Sequence, residues 1–349
     1  MADSFAARLL RWYDAHGRKS LPWQRPRSAY RVWLAEVMLQ QTQVSTVIPY
    51  FLRFVEKFAS LPELAAAQAD DVLALWSGLG YYSRARNLHR AAQICVERHR
   101  GTLPRDFDAL AALPGIGRST AGAILAQAHE LRFPILDGNV RRVLARFHGV
   151  RGWSGAAAVS AQLWKFAELH TPQARLADYT QAIMDLGATV CTRTRPQCAT
   201  CPLARNCVAH RDDLTATLPE RKPTRAVPTR STLMLLLRDG TGRILLERRP
   251  PTGVWAQLWS LPEAENLASA RARVAREHAR TTTIELRRLP PFVHVFSHYR
   301  LDVTPVAAEV RRARRIADAP DRRWLHPREA EQLGLPAPVR RLIQNLETC

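Results

Sequence analysis

Four cysteines near the middle of the chain could hold a metal centre. They follow the spacing C-x6-C-x2-C-x5-C within seventeen residues, as Cys191, Cys198, Cys201 and Cys207. Four thiolates on so short a loop can bind a tetrahedral zinc ion or a [4Fe–4S] cluster, and the spacing does not separate the two. Two disulfides are the alternative. The remaining cysteines, Cys95 and Cys349, stand alone, so nothing else favours an oxidising compartment, and we expect a metal centre.

The segment Leu113-Pro-Gly-Ile-Gly-Arg-Ser-Thr-Ala121 predicts a phosphate-binding turn. Gly115 and Gly117 are separated by one apolar residue between two helical patterns, so the turn is tight and its amides face outward. Amides at the N-terminus of the next helix, near Ser119, attract phosphate together with the positive end of the helix dipole. An ordinary αα-corner would use similar glycines. The flanking residues favour a helix-hairpin-helix, which contacts the DNA backbone independently of base sequence.

Two carboxyl groups are candidates for acid–base chemistry. Asp137 is suited to cap a helix that runs from Val140, and amides at a helix start stabilise an ionised carboxylate. Glu36 lies four residues after Val32 and three before Leu39, so it shares the apolar stripe of its helix. Burial there should raise its pKa and prepare it to donate a proton. A buried glutamate paired with an arginine is the structural alternative.

Two short loops carry polar or aromatic side chains that could enter a DNA duplex. They are Gln40-Gln-Thr-Gln43 and Gly80-Tyr-Tyr82. Polar wedges and aromatic rings can fill the hole left by an extruded base. Taken singly, each loop is more typical of plain surface.

These candidates lie in a chain whose pattern changes near residue 210. Before it, apolar residues recur at three and four, which predicts a mostly α region over 1–210 with helices at 29–58, 61–76, 83–98, 120–129 and 140–147. The proline-containing stretch 211–229 predicts an exposed linker. Over 230–349 a β pattern predicts an α+β module, with a hairpin around 239–242, two strands within 292–306, and helices at 268–279 and 338–346.

Composition restricts the partners. The chain has 349 residues, 46% of them hydrophobic, and a formal net charge of +20, which indicates a polyanionic partner. The N-terminal residues contain no uninterrupted apolar core for a signal peptide, and the longest apolar run, 233–237, is too short to span a bilayer. We therefore expect a cytoplasmic protein, associated with the nucleoid if the source is bacterial.

Taken together, the motifs resemble a known superfamily. Residues 113–121, Asp137 and the cysteine loop are similar to the helix-hairpin-helix DNA glycosylases of the endonuclease III type. Within it, three stretches resemble the adenine DNA glycosylases (the MutY family): Trp33-Leu-Ala-Glu-Val-Met-Leu-Gln-Gln-Thr-Gln43, Gly78-Leu-Gly-Tyr-Tyr82 and Ile135-Leu-Asp-Gly-Asn-Val140. The match covers about 21–207. It extends more loosely into a C-terminal module similar to the Nudix-like 8-oxoguanine-recognition domain of that family.

The resemblance implies an activity and a cofactor. The expected reaction is removal of adenine mispaired with 8-oxoguanine or guanine in duplex DNA, by a monomer that carries a [4Fe–4S] cluster rather than zinc. Glu36 would protonate the adenine, and Asp137 would stabilise the oxocarbenium character of the sugar, either electrostatically or by transient covalent capture. Glu36 or Asn139 would orient the water.

The resemblance also implies residues that contact DNA. Trp23 and Gln181 would line the base pocket, while Gln41 and Tyr81 would act as wedge and intercalator. The loop Phe296-Ser297-His298 matches the family's loop for recognising 8-oxoguanine.

Two departures from related enzymes limit the chemistry. Lyase-competent relatives carry a lysine after the arginine of the hairpin, and here that position is Ser119. No Schiff base can form there, so the enzyme should stop at an abasic site. After Gly253 there is no R-E-x-x-E-E run, only Arg276-Glu277-His278, so we do not expect nucleotide hydrolysis by the C-terminal module.

Three alternatives remain open. A bifunctional glycosylase/lyase for oxidised pyrimidines is disfavoured by Ser119. A non-catalytic iron–sulfur DNA-binding protein would need neither Glu36 nor Asp137. A hydrolase of free nucleotides is weakened by the missing Nudix sequence.

Overall fold

The computed structural model describes residues 4–223, 227–277, 285–296, 298–310 and 319–346. Its α-helices, in chain order, are α1 (Phe5–His16), α2 (Ala29–Leu39), α3 (Val44–Lys57), α4 (Leu61–Ala66), α5 (Ala69–Trp76), α6 (Ser83–Arg98), α7 (Phe107–Ala111), α8 (Arg118–His129), α9 (Gly138–His148), α10 (Ala157–His170), α11 (Leu176–Asp185), α12 (Val208–Arg211), α13 (Leu267–Glu277), α14 (Pro327–Ala330) and α15 (Ala337–Gln344). A π-helical turn, Leu186–Val190, follows α11 directly. None of the helices in the described ranges is long and apolar enough to cross a membrane.

The strands within the described ranges form one mixed sheet. They are β1 (Thr229–Asp239), β2 (Ile244–Arg248), β3 (Trp259–Ser260), β4 (Glu263–Ala264), β5 (Arg287–Arg288), β6 (Phe292–Val295), β7 (Arg300–Val310) and β8 (Arg322–Leu325). The main path is β3-β2-β1-β7-β5, with β4 on β1, β6 on β7 and β8 on β2. β1 and β7 run parallel, from Thr229 opposite Arg300 to Asp239 opposite Val310, and the other pairs are antiparallel.

The chain forms two compact units. Unit 1 comprises Met1–Ala66 and Asn87–Thr224, and unit 2 comprises Ala67–Arg86 and Arg225–Cys349. Unit 1 is helical and unit 2 contains the sheet, so the expected fold class, a mostly α region followed by an α+β module, is confirmed.

Helix α2, which carries Glu36, illustrates how capping and burial form the helices of unit 1. Ser28 caps it by accepting from the amide of Arg31 at 3.2 Å. Val32, Trp33 and Leu34 are buried almost completely, and burial of each such side chain contributes about 1.5–3 kcal/mol. The helix ends before Gln41, whose φ of 62° lies in the left-handed region. The predicted helix over 29–58 is therefore two helices, α2 and α3.

Unit 2 is a sheet covered on both faces. Successive residues of β1 point to opposite sides, so Met234 and Leu236 enter one core while Leu235 and Leu237 enter the other. Ile343 of α15 joins the first core and residues of α13 join the second. The predicted hairpin around 239–242 is confirmed, since β1 pairs with β2, and the two strands predicted within 292–306 are β6 and β7, which also pair.

Two further segments differ from the sequence predictions. The expected helix over 61–76 divides into α4 and α5, and α5 packs in unit 2, where both oxygens of Asp70 accept from Arg248 at 2.8 Å. Within the predicted exposed linker, Leu218 is buried and its carbonyl accepts from Arg146 at 2.9 Å. Apolar periodicity does not reveal either long-range contact.

Candidate active site

Two close contacts hold the segment that leads to Asp137 against α8. The hydroxyl of Ser119, in the first turn of α8, accepts from the amide of Leu136 at 2.9 Å. One turn further along, a Cβ on Gly122 would lie 2.6 Å from the carbonyl oxygen of Pro134, so only glycine permits this approach. Asp137 is thereby fixed beside the helix that follows the hairpin.

Asp137 is the N-cap of α9, as predicted. Its Oδ1 accepts from the amide of Val140 at 2.8 Å, and the side-chain amide of Asn139 lies 3.5 Å from Oδ2. Burial raises the pKa of Asp137, while the amides of Val140 and Asn139 and the charge of Arg142 act in the opposite direction by favouring the ionised form. This carboxyl therefore has several groups ready to stabilise its negative charge.

Glu36 has a different environment. Burial, the largest cause, raises its pKa to about 7; the amide of Gln127 opposes this, and the charge of Asp137 adds to it. Gln127 donates from Nε2 to Oε1 of Glu36 at 2.9 Å, so the partner is a neutral amide and not the arginine of the alternative interpretation. Both residues keep some exposure to solvent. The structure thus brings Glu36 and Asp137 close enough to interact electrostatically.

Arg142 links Asn139, the neighbour of Asp137, to the cysteine loop. Its Nη2 donates to Oδ1 of Asn139 at 2.8 Å and to the carbonyl of Gly187 at 2.6 Å, and its Nε donates to the carbonyl of Cys191 at 2.7 Å. Gly187 lies in the π-helical turn, and a Cβ there would be 2.6 Å from Cβ of Asn139. The turn and the start of α9 are therefore in direct contact.

The predicted metal-binding cysteines surround one small cavity. Cys191, Cys198, Cys201 and Cys207 all line a space of about 30 Å³ together with Arg146. No disulfide joins the cysteines in the described part of the chain. Burial raises the pKa of Cys198 and Cys207, and raises that of Cys201 to about 11, with the neighbouring thiolates adding to each effect.

Arg146 supports the same loop from a buried position. Its guanidinium donates to Sγ of Cys191 at 3.4 Å and to the carbonyl of Thr192 at 2.6 Å. It also donates to the carbonyls of Arg193, Thr215 and Leu218. One side chain therefore ties the start of the cysteine segment and the chain that follows this segment to α9.

The two glycines of the predicted hairpin, Gly115 and Gly117, have different surroundings. Gly115 has φ of 78°, and a Cβ there would lie 2.9 Å from Cβ of Asn87. Gly117 is the exposed N-cap of α8, and a Cβ added to it would meet no atom of the described residues within 4 Å, apart from its chain neighbours. The open side of Gly117 and the first amides of α8 leave room for a ligand.

Gln181 and Trp23 lie in unit 1. Among the described residues, neither forms a hydrogen bond with Glu36 or Asp137. Gln181 is 3% exposed and donates to Oδ1 of Asp185 at 2.8 Å. Asp185 also accepts from the amide and guanidinium of Arg18 at 2.6–2.9 Å. Trp23 is buried with its ring 5.5 Å from that of Phe51, at 70°.

The two predicted intercalating residues both have left-handed backbone conformations. Gln41, in unit 1, has φ of 62° and is exposed; Tyr81, in unit 2, has φ of 48° and is 51% exposed. Such φ values are uncommon for residues other than glycine and cluster at functional sites. Each side chain is thus presented to solvent by a strained turn.

In unit 2 the described residues of the predicted recognition loop, Phe296 and His298, lie between β6 and β7. The amide of Phe296 donates to the carbonyl of Tyr299 at 2.9 Å. The ring of Phe296 lies 5.2 Å from Trp255 and 6.2 Å from exposed His298. Ser297 lies outside the described residues.

Several residues of the site were not predicted. Gln127 could have been noticed as a polar residue in the apolar run 121–128, and Arg142 as a neighbour of Asn139 three residues along a helix. Gly187 and Gly122 carry no such signal, because their importance depends on contacts with distant segments.

Comparison with known proteins identifies the class. Residues 34–169 match the model of the HhH-GPD superfamily of base excision DNA repair proteins, and residues 233–345 match the NUDIX domain. A thermostable thymine-DNA glycosylase superposes with a TM-score of 0.54 at 24% identity, covering 60% of this chain and 95% of that one. An endonuclease III from a non-covalent DNA complex gives 0.51 at 21% identity, covering 60% and 94%. These likenesses show the helix-hairpin-helix glycosylase fold.

Full-length relatives give the family. The adenine DNA glycosylase of Buchnera aphidicola subsp. Acyrthosiphon pisum (strain APS) is 34% identical over 344 residues, 98% of this chain and 97% of the relative. That of Mus musculus is 35% identical over 380 residues, covering 92% and 74%. The chain belongs to the adenine DNA glycosylase family, and DNA is its partner.

Proposed function

We propose that this enzyme, as a monomer, excises adenine opposite 8-oxoguanine or guanine in duplex DNA and leaves an abasic site. The observation that carries the proposal is the pair Glu36 and Asp137. The pKa of Glu36 is about 7, so it holds a proton in a large fraction of molecules near neutral pH. Asp137 accepts from a helix-start amide at 2.8 Å, which favours its anion. Among the residues that the structure describes, Glu36 has a single amide donor, whereas Asp137 has several donors and a nearby cation. This difference suits Glu36 to act as the acid and Asp137 to act as the electrostatic stabiliser.

The reaction follows from these states. Glu36 gives its proton to a ring nitrogen of adenine, and the bond between that base and C1′ breaks with its electron pair moving to the base. The ionised Asp137 stabilises the positive charge that develops on the sugar. Water, which Asn139 helps to orient, then attacks C1′. The proton that the water loses goes to the carboxylate of Glu36. The acid is regenerated and the products are adenine and an abasic site.

Ser119 supports a monofunctional enzyme. Its hydroxyl is engaged with the amide of Leu136, and a hydroxyl cannot form a Schiff base with the sugar. Its contribution is to hold the segment that carries Asp137.

The remaining unit 1 residues are proposed to hold the extruded nucleotide and the duplex. Because Gln181 gives its side-chain amide to Asp185, its carbonyl oxygen is oriented and can accept from the adenine amino group. Trp23 would form an apolar wall of the pocket. The amides at Gly115 and Gly117 would bind backbone phosphate.

Five side chains are proposed to act on the distorted duplex and the opposite base. Gln41 would fill the space left by the extruded nucleotide, and Tyr81 would stack between base pairs, since both are exposed on strained turns. In unit 2, Phe296 and His298, with Ser297, would contact the 8-oxoguanine edge. The partly exposed ring of Phe296 beside exposed His298 supports stacking against a base.

The cysteine loop fits a [4Fe–4S] cluster. The four thiols surround one cavity, and four cysteine thiolates are the ligand set of such a cluster. Burial raises the pKa of Cys198, Cys201 and Cys207, so the thiolate forms of these three need a positive centre beside them to persist. When bound, the cluster would cross-link the loop. Elemental analysis should find about four iron atoms and four sulfides per chain, and one zinc would contradict this.

The test is single-turnover cleavage of a labelled duplex with one adenine opposite 8-oxoguanine, quenched with and without hot alkali. Strand scission only after alkali is expected, and Glu36→Gln should bind the duplex but release no adenine. Scission without alkali would instead support the bifunctional alternative. A duplex that is bound but never cut would favour a binding protein.

A further inference from the structure

Gln127 is an unusual residue for its position. It lies on α8 directly after a run of buried small and apolar residues, and it is itself only 3% exposed. A buried amide is costly unless its polar atoms are hydrogen-bonded. Its Nε2 donates to Oε1 of Glu36 at 2.9 Å, across the contact between α8 and α2.

This bond has a definite direction. The amide N–H can only donate, so Oε1 of Glu36 must accept, and a proton carried by this carboxyl resides on Oε2. The donor also favours the anion that remains after the proton has left. Of the groups facing Glu36, Asp137 at the start of α9 is the one whose charge acts on it. Burial and Asp137 oppose ionisation, and Gln127 alone favours it.

We propose that Gln127 is a positioning residue for the acid: it holds Oε1 of Glu36, directs the proton to Oε2, and stabilises the carboxylate formed by proton transfer. This inference rests on the proposed role of Glu36. In its absence the acid would be both misdirected and weaker, because a carboxyl with no donor gives up its proton less readily.

The test is the pH profile of the single-turnover rate for Gln127→Leu, which fills a similar volume without a donor. In the parent enzyme the rate should be constant at low pH and decline above about pH 7 as Glu36 ionises. In the variant, the low-pH plateau should fall about tenfold while the decline moves upward by roughly one pH unit. Gln93→Leu, the same change on α6 at a glutamine bonded to His89, should alter neither.

A structural role would give another result. Damage to packing lowers the rate at every pH and leaves the midpoint of the decline in place, and that outcome would overturn the proposal. Should Gln127→Leu fold poorly, Gln127→Met preserves the unbranched shape and is judged by the same midpoint. Failure of the proposed function is distinguishable, because active Glu36→Gln would refute the acid itself, whereas an inert Glu36→Gln with an unshifted Gln127→Leu would refute only the inference.

Discussion

Replacing Arg142 by methionine should damage the site although neither Glu36 nor Asp137 is replaced. The guanidinium supplies donors to three oxygens at 2.6–2.8 Å, those of Asn139, Gly187 and Cys191. Charge-assisted hydrogen bonds contribute about 1.5–3 kcal/mol each. Burial lowers the pKa of Arg142, which shows that the charge is partly desolvated and offsets part of that gain. With the offset and non-additivity, we expect a loss of roughly 3 kcal/mol in the free energy of unfolding.

The kinetic effect should be larger than stability alone explains. Asn139 would lose the bond that orients it beside Asp137, and small displacements in a catalytic arrangement cost about 100-fold in rate. Single-turnover kinetics on the adenine:8-oxoguanine duplex, at a temperature where both proteins are folded, measure this loss. Thermal unfolding should show a decrease of roughly 6–12 °C.

Arg141→Met provides a matched control. It removes the same charge one residue earlier, but Arg141 donates to Ser154 and Ser160 and has no described bond to Asn139 or Cys191. Both variants should weaken DNA binding and its salt dependence to a similar degree. Equal single-turnover rates in the two variants would refute the argument that Arg142 orients the site.

Three further changes probe neighbouring contacts. Gly187→Ala places a Cβ 2.6 Å from Cβ of Asn139, so we expect a loss of about 1–3 kcal/mol in unfolding free energy and a reduced single-turnover rate; an unchanged rate would contradict the contact. Ser119→Ala leaves the amide of Leu136 without its acceptor and should cost about 1–2 kcal/mol by chemical denaturation, with scission still dependent on alkali. Arg146→Met leaves four carbonyls without their donor and should lower both the melting temperature and the iron content, and full iron retention would speak against its support of the loop.

Local chemistry explains which features the sequence could predict. Asp137 as an N-cap depends on residues within three positions, and the hairpin between β1 and β2 depends on a four-residue turn. The cysteine spacing is also local, so the grouping of the four thiols around one cavity could be anticipated. Features of this kind are determined by neighbouring residues and do not require knowledge of the tertiary fold.

Contacts between residues far apart in the sequence could not be predicted from it. Gln127 and Glu36 are 91 residues apart, and only the packing of α2 on α8 brings them together. The placement of α5 with the sheet of unit 2 depends on partners such as Arg248, 178 residues from Asp70. Apolar periodicity specifies which face of a helix is buried, but it does not specify the element that covers that face.

The site is also difficult to predict because its supporting bonds end largely on the main chain. Arg142 donates to the carbonyls of Gly187 and Cys191, and Ser119 accepts from the amide of Leu136. Nearly every residue has a main-chain carbonyl and amide, so the sequence does not indicate which residue supplies the main-chain partner. Only the polar side chain of each bond can be recognised in the sequence. It follows that substitutions of Arg142 or Ser119 should be harmful, whereas replacing Leu136 by another apolar residue that packs equally well should preserve the hydrogen bond. A site built in this way depends on a few polar side chains whose partners become visible only in the folded chain.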